Sequence, residues 1–443
     1  MHPVTPSGRV RQDEVYRGGI TGRRPVVPTA FPALERRARR VMSRRAHAYV
    51  AGGAGSEETV RANRAAFERH RIVPRMLRGV GERDTSVEIF GHRHEHPLLL
   101  APIGACDLVH RRADLAVAEG AAHAGVTMIV SNQAGHPSEE IAPRATAGWW
   151  SQLYWSTSDD LVDSFLARAE AAGAGAVVVT LDTTTLGWRP RDLDLGHLPF
   201  ARGLGIAQYT SDPVFARLTQ ETADRASDAK RSGAGPSTRR PSPTPTPAAV
   251  RTLLEISRHH PGAFLDNLRS PLPRAAVETF LRVYSRPTLS WDDIATLRSR
   301  TRLPVVLKGV LHPDDARRAL DHGVDGVLVS NHGGRQVDGG VAALDALPGV
   351  AEAVDGRAPV LLDSGIRSGS DVARALALGA TAVCLGRPWV YGLALAGAAG
   401  VSQVIRDVLA ELDLTLALAG ARTVADLELA PFATAEPAVQ ARG

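Results

Sequence analysis

Val324-Asp325-Gly326-Val327-Leu328-Val329-Ser330-Asn331-His332-Gly333-Gly334-Arg335-Gln336 is the stretch on which the reading of this chain turns. Its first half is a short run rich in apolar and β-branched residues, the composition of a buried strand. Its second half sets an imidazole and a guanidinium around two glycines. That puts a base and a fixed cation at the rim of a sheet with little side-chain bulk between them. The layout suits chemistry on an anionic substrate. A satisfied histidine in a polar loop would account for His332 alone, but matching sites elsewhere in the chain outweigh it.

Outward from this stretch the same unit repeats: a short apolar strand, a polar terminus, then a helix. Strand-like runs fall at 97–102, 127–131, 149–155, 176–182, 304–308, 325–330, 359–363 and 381–385. Near-continuous apolar strands alternating with amphipathic helices at 313–322 and 370–378 call for parallel pairing. Eight of them favour a closed (β/α)₈ TIM barrel, with an open doubly wound sheet as the alternative. The expected organisation is an N-terminal arm, helices and hairpin over 1–95, the barrel over 96–400, and C-terminal helices and a tail over 401–443.

Composition bounds the rest. The chain has 443 residues, 44% of them hydrophobic, enough for one large core with decorations. No apolar run reaches the length of a membrane helix and the first residues carry no secretory apolar segment, so a soluble cytoplasmic protein is expected. Two cysteines, Cys106 and Cys384, offer neither a disulfide framework nor a cysteine metal site. The net charge of +5 is modest and spread along the chain, and no strand interleaves aromatic with basic residues, so no nucleic-acid partner is expected. All but two of the 52 basic residues are arginine; one exception, Lys308, sits at a strand end, where a compact cation is implied.

Residues 1–30 read as an extended arm and 33–48 as one arginine-rich helix. The glycine-rich run that follows, Tyr49 to Gly55, succeeds no strand and lacks a Gly-Lys-Ser/Thr ending, so it is not a phosphate loop. The next helix places Asn63 and Phe67 on one face. His92, His94 and His96 alternate, but no fourth ligand lies at metal spacing, so a surface hairpin is the reading and no metal is expected. Over a hundred residues separate the fourth and fifth strands. This insertion, about 193–285, would sit over the active face as a lid, with a Ser/Pro/Arg-rich stretch at about 223–250 expected to be disordered. That stretch has no apolar face to hold a membrane.

In a barrel the residues just past each strand converge on one pocket. Gly365 and Gly386 follow the seventh and eighth strands beside Arg367 and Arg387, the usual place for a phosphate. Ser131, Gln152, Thr180 and Lys308 suit a polar heterocycle whose reduced form is anionic. Arg189, Arg335, Tyr49 and Tyr154 remain for a carboxylate and an adjacent hydroxyl, and Asp182 would orient His332.

The motifs Ser330 to Gln336, Leu307-Lys308-Gly309, Asp363-Ser364-Gly365-Ile366-Arg367 and Leu385-Gly386-Arg387-Pro388 resemble, in this order, the FMN-dependent α-hydroxy acid oxidase and dehydrogenase family. Tyr49 to Gly53, Ala101 to Gly104 and Leu186 to Asp192 are most similar to its L-lactate 2-monooxygenase branch. Similarity runs from about 33 to 427 and fails over 223–273. The resemblance implies that His332 is the catalytic base with Asp182 as partner, that Tyr154 is catalytic too, and that Tyr49, Tyr154, Arg189, Arg335 and His332 bind the substrate. It implies an FMN site made by Pro102, Ile103, Gly104, Ser131, Gln152, Thr180, Lys308, Ser330, Asp363, Ser364, Gly365, Ile366, Arg367, Gly386 and Arg387. The implied substrates are a small L-2-hydroxy acid and O₂, and the implied assembly is a homotetramer or homo-octamer. Gln133 replaces a pocket tryptophan of glycolate oxidases, and Thr184-Thr185 replaces bulkier residues.

Overall fold

The computed structural model describes residues 8–231 and 246–431. Eight parallel strands close into a barrel in sequence order: β1 Leu98–Leu100, β2 Met128–Val130, β3 Trp149–Leu153, β4 Val177–Thr180, β5 Val305–Val310, β6 Gly326–Val329, β7 Val360–Leu362 and β8 Ala382–Leu385. The closing pair aligns Cys384 of β8 with Leu99 of β1. Every strand sends apolar side chains into the barrel: Leu99, Ile129, Trp150, Val178, Val306, Leu328, Leu361, and both Ala382 and Cys384 of β8 fill it. The barrel is therefore a packed core, and only its two ends can bind anything.

A hairpin, Val87–Ile89 with His92–His94, closes the amino end, with Ile89 buried and Phe90 5.5 Å from the Trp150 ring. The chemistry is left to the carboxyl end. The expected eight strands and hairpin are all present.

Three expectations are corrected. Within the arm, Gly8–Ile20 is helical and docks on the C-terminal helix Arg387–Ala419. Its arginines and acids meet opposite charges there, Arg11 with Asp407 at 2.8 Å and Glu14 with Arg406 at 2.8 Å. This tertiary pairing is invisible to a local reading. The helix over 33–48 is two helices, Phe31–Val41 and Arg44–Ala51, broken where Ser43 caps the second by accepting from the Ala46 amide at 3.1 Å. Finally, Pro213–Arg231 is helical through residues expected to be disordered, and Pro247–His259 is helical again. The first of these is anchored by buried Thr222, which accepts from Thr279 at 2.8 Å. The centre of the Ser/Pro/Arg stretch, 232–245, lies outside the described residues.

Arg387–Ala419 is the one described helix long and apolar enough to cross a membrane, and it lies against the barrel helix Ala113–His123 with much of its surface buried. It breaks at Ala396 and Gly397, just before the boundary expected at 400.

Candidate active site

The loop after β6 carries the base in a strained backbone. His332, Gly333 and Gly334 take φ of 58°, 66° and 76°, three successive left-handed residues of which only the glycines do so freely. A non-glycine held there marks a position that its surroundings fix. The ring is held from the loop after β4: His332 Nδ1 lies 2.9 Å from Asp182 Oδ1 and 3.3 Å from the Thr183 hydroxyl.

The charges follow from burial and neighbours. Burial raises Asp182, but the His332 ring and the Lys308 ammonium outweigh it and hold the carboxyl well below its usual range. Burial lowers His332, and although Asp182 opposes this, the net shift is downward. A carboxylate facing Nδ1 keeps the proton on that nitrogen, so Nε2 is left as the free basic atom of a neutral ring at pH 7.

Lys308, on β5, is 3% exposed. Its Nζ donates to Ser330 Oγ at 2.8 Å and lies 3.3 Å from Asp363 Oδ2. Burial lowers its pKa, yet Asp363 and Asp182 outweigh that and keep the ammonium charged.

A cavity opens above these groups. Of the expected site residues it brings together His332, Tyr49, Tyr154, Arg189, Arg335, Pro102, Ile103, Gly104, Lys308, the run Asp363 to Arg367, Gly386 and Arg387. Ser131, Gln152, Thr180, Ser330 and Asp182 lie behind its wall. There Gln152 accepts from Ser131 at 3.1 Å and donates to Thr180 at 2.9 Å, a buried network beneath the cavity.

Four arginines of the wall, Arg189, Arg335, Arg367 and Arg387, form no ion pair with a carboxylate among the described residues. Backbone carbonyls and Gln336 hold them instead. Arg387 donates to Val50 at 2.9 Å and to Gly333 and Gly52 at 3.1 Å. Arg335 donates to Gly52 at 2.9 Å and to Tyr49, over whose ring its guanidinium sits at 4.9 Å. Arg189 donates to Gln336 Oε1 at 2.6 Å. Burial and the neighbouring guanidinium push both Arg335 and Arg367 down to about 9. Buried cations that repel one another need an anion between them. Arg367 and Arg387, beside Gly365 and Gly386, would hold a phosphate; Arg189 and Arg335, nearer His332, would hold a carboxylate. Lys308, charged and against the same cavity, suits the heterocycle of FMN, so the residues present fit that cofactor.

Burial also raises the Tyr154 hydroxyl and pushes Tyr49 up to about 12, so both are hydrogen-bond donors at neutral pH.

Several cavity residues escaped the sequence reading. Leu198, Phe200, Leu281 and Tyr284 come from the insertion, and Leu186 and Thr183 from its root. The insertion matched no motif, so nothing marked its four residues, and Leu186 lay in a matched motif without a role of its own. Gln336 stood in the decisive stretch without a role; it donates to the Asp182 carbonyl at 2.6 Å and to the Thr185 carbonyl at 3.0 Å, tying the base loop to the lid root. A polar residue four positions after the base was the signal available.

Known proteins give the same picture. The model of the FMN-dependent dehydrogenase family matches residues 38–433. An FMN-dependent alpha-hydroxy acid dehydrogenase of Penicillium citrinum is 39% identical over 417 residues, 94% of this chain and 93% of that one. An L-lactate oxidase of Lysinibacillus sphaericus is 38% identical over 409 residues, 92% of this chain and 93% of that one. The crystal structure of mandelate oxidase with (S)-4-hydroxymandelic acid matches with a TM-score of 0.72 at 34% identity, covering 91% of this chain and 99% of the other. With a barrel whose rim sets one base among four arginines that no carboxylate pairs, the chain belongs to the FMN-dependent dehydrogenase family, and its chemistry is FMN-dependent oxidation of an α-hydroxy acid.

Proposed function

We propose that this protein oxidises a small L-2-hydroxy acid, L-lactate foremost, with O₂, and holds the 2-keto acid until it is decarboxylated, yielding acetate, carbon dioxide and water. The observation that carries the reading is the set of four cavity arginines, Arg189 and Arg387 buried and Arg335 and Arg367 partly buried, that form no ion pair with a carboxylate among the described residues. When bound, FMN accepts two electrons from the hydroxy acid and passes them to O₂.

In this reading Arg189 and Arg335 clamp the substrate carboxylate, and the Tyr49 and Tyr154 hydroxyls orient its oxygens. Neutral His332 takes a proton at Nε2, either from the α-carbon or from the hydroxyl. Asp182, 2.9 Å from Nδ1, then stabilises the imidazolium. Lys308 stabilises negative charge that develops against it.

Retention of the keto acid is the variable that separates a monooxygenase from an oxidase. Support for retention comes from the insertion, whose Leu198, Phe200, Leu281 and Tyr284 line the same cavity as Arg189 and Arg335. Gly104 argues less than its position promises, because a Cβ there would meet the Gln133 Cβ at 2.8 Å, so packing alone calls for glycine.

The oxidase reading, with release of keto acid and peroxide, is favoured by the L-lactate oxidase relative. Turnover of L-lactate under air without catalase decides between them. Acetate with little peroxide is expected; stoichiometric pyruvate and peroxide would assign the oxidase reaction. A cytoplasmic assembly of four or eight copies completes the proposal, with sedimentation as its test.

A further inference from the structure

The base loop is held by a residue outside the barrel. Asn63 lies on the helix Glu58–Glu68, which precedes all eight strands, and is 2% exposed. Its side chain and that of Asn331 form a reciprocal amide pair: Asn63 Nδ2 donates to Asn331 Oδ1 at 2.8 Å, and Asn331 Nδ2 donates to Asn63 Oδ1 at 2.8 Å. Both amides also bond the backbone. Asn331 Oδ1 accepts from the Gly334 amide at 3.1 Å, its Nδ2 donates to the Val341 carbonyl at 3.0 Å, and Asn63 Oδ1 accepts from the Ala343 amide at 3.1 Å.

These bonds bracket the three left-handed residues. Asn331 stands immediately before His332, and its side chain closes on Gly334 at the far end of the turn, where the Gly334 amide also bonds the Asn331 carbonyl at 3.0 Å. The turn therefore cannot relax without breaking the Asn331 side-chain bond, and Asn331 cannot rotate without breaking its pair with Asn63. The same helix presses on the turn from outside: a Cβ on Gly334 would lie 2.7 Å from the Val60 amide nitrogen. It also reaches the proposed phosphate loop, where Arg64 donates to the Gly365 carbonyl.

We propose that Asn63 is a positioning residue for the base, acting through Asn331 to hold the left-handed His332–Gly334 turn and with it the angle of the imidazole. The proposal rests on the reading of His332 as the base. Both amides are neutral, so Asn63 contributes orientation and not charge. A misplaced base loses rate steeply, on the order of 10- to 100-fold for about 1 Å.

The test uses the FMN-loaded full chain. Asn63→Ala, and Asn63→Asp as the variant that keeps the acceptor for the Ala343 amide, are compared with Asn331→Ala and with the double variant Asn63→Ala/Asn331→Ala. Two quantities are read: the rate of anaerobic flavin reduction by L-lactate, and the titration of the His332 ring by NMR with labelled histidine, assigned by its absence in His332→Gln. The expected result is reduction slowed about 10- to 100-fold in Asn63→Ala with little change in the lactate concentration at half-saturation. The double variant is expected to be no slower than the worse single one, since the pair acts as a unit. The His332 titration should move toward that of an exposed imidazole. An unmoved ring titration in Asn63→Ala and Asn63→Asp would overturn the proposal, as would losses that multiply in the double variant. If instead His332→Gln reduced its flavin at the parental rate, the assignment of the base would fall, while the ring titration would still report whether Asn63 holds it.

Discussion

Replacing Lys308 by methionine separates what this lysine does for the fold from what it does for the cofactor. In the folded chain its ammonium is 3.3 Å from Asp363 Oδ2 and bonds Ser330 at 2.8 Å, and Asp363 is only 6% exposed. Methionine fills a similar volume but leaves the Asp363 carboxylate buried without its counter-charge. Breaking a buried pair from one side costs about 3–5 kcal/mol, so the FMN-free Lys308→Met protein should unfold at markedly lower denaturant concentration. Adding Asp363→Asn removes the stranded charge and should restore most of that loss. FMN affinity should behave differently. One charged hydrogen bond lost is about 1.5–3 kcal/mol, or roughly 10- to 150-fold in Kd, in Lys308→Met and in the double variant alike. Denaturant unfolding of the FMN-free proteins and fluorescence titration with FMN measure the two effects. A double variant that recovered both stability and parental FMN affinity would refute the cofactor role of Lys308, and a fully stable single variant would refute the charge-balance argument.

His332→Gln should keep FMN bound while slowing flavin reduction by on the order of 10²- to 10⁴-fold. Because burial lowers the ring below its ordinary value, reduction in the parent should rise with pH through a point below about 6.5 and stay level above it. Arg367→Met should weaken FMN binding by about 10- to 100-fold without destabilising the FMN-free protein, since it removes a buried cation that lacks a carboxylate; fluorescence titration and unfolding check the pair of effects. Asp114, 3% exposed and bonded to the Gly135 amide at 2.8 Å, is raised by burial to about 7. A carboxyl whose folded pKa lies above its unfolded value binds more protons when folded, so stability falls as pH rises between the two values. Asp114→Asn keeps an oxygen for Gly135 and should therefore stabilise little near pH 4 and by on the order of 2–4 kcal/mol above pH 7. A gain independent of pH would contradict this.

The barrel was legible because its strands are buried on both faces and so carry the strongest local signal, unbroken apolar runs such as Ala176 to Val179. The rim residues were legible because each follows such a run, and polar side chains past a strand end have one place to go. What was missed depends on partners far along the chain. Nothing in 8–20 announces a helix except acids and arginines whose mates, Asp407 and Arg406, lie nearly four hundred residues away. The middle of the insertion looked empty of structure because serine, proline and arginine dominate it, yet Thr222 on one side bonds Thr279 on the other, and Phe280 stacks on Tyr284, which lines the cavity. Gln336 and Asn63 were in view as residues, but their roles lie in hydrogen bonds that only the closed barrel creates.

The most direct measurement of the central claim is anaerobic addition of L-lactate to the purified FMN-loaded protein while the absorbance of oxidised flavin is followed. Rapid bleaching that reaches completion at one equivalent of lactate is expected, because the proposed arginine clamp and the neutral base line the cavity whose residues fit FMN. Flavin that stays oxidised with L-lactate and with every other small L-2-hydroxy acid tried would contradict it.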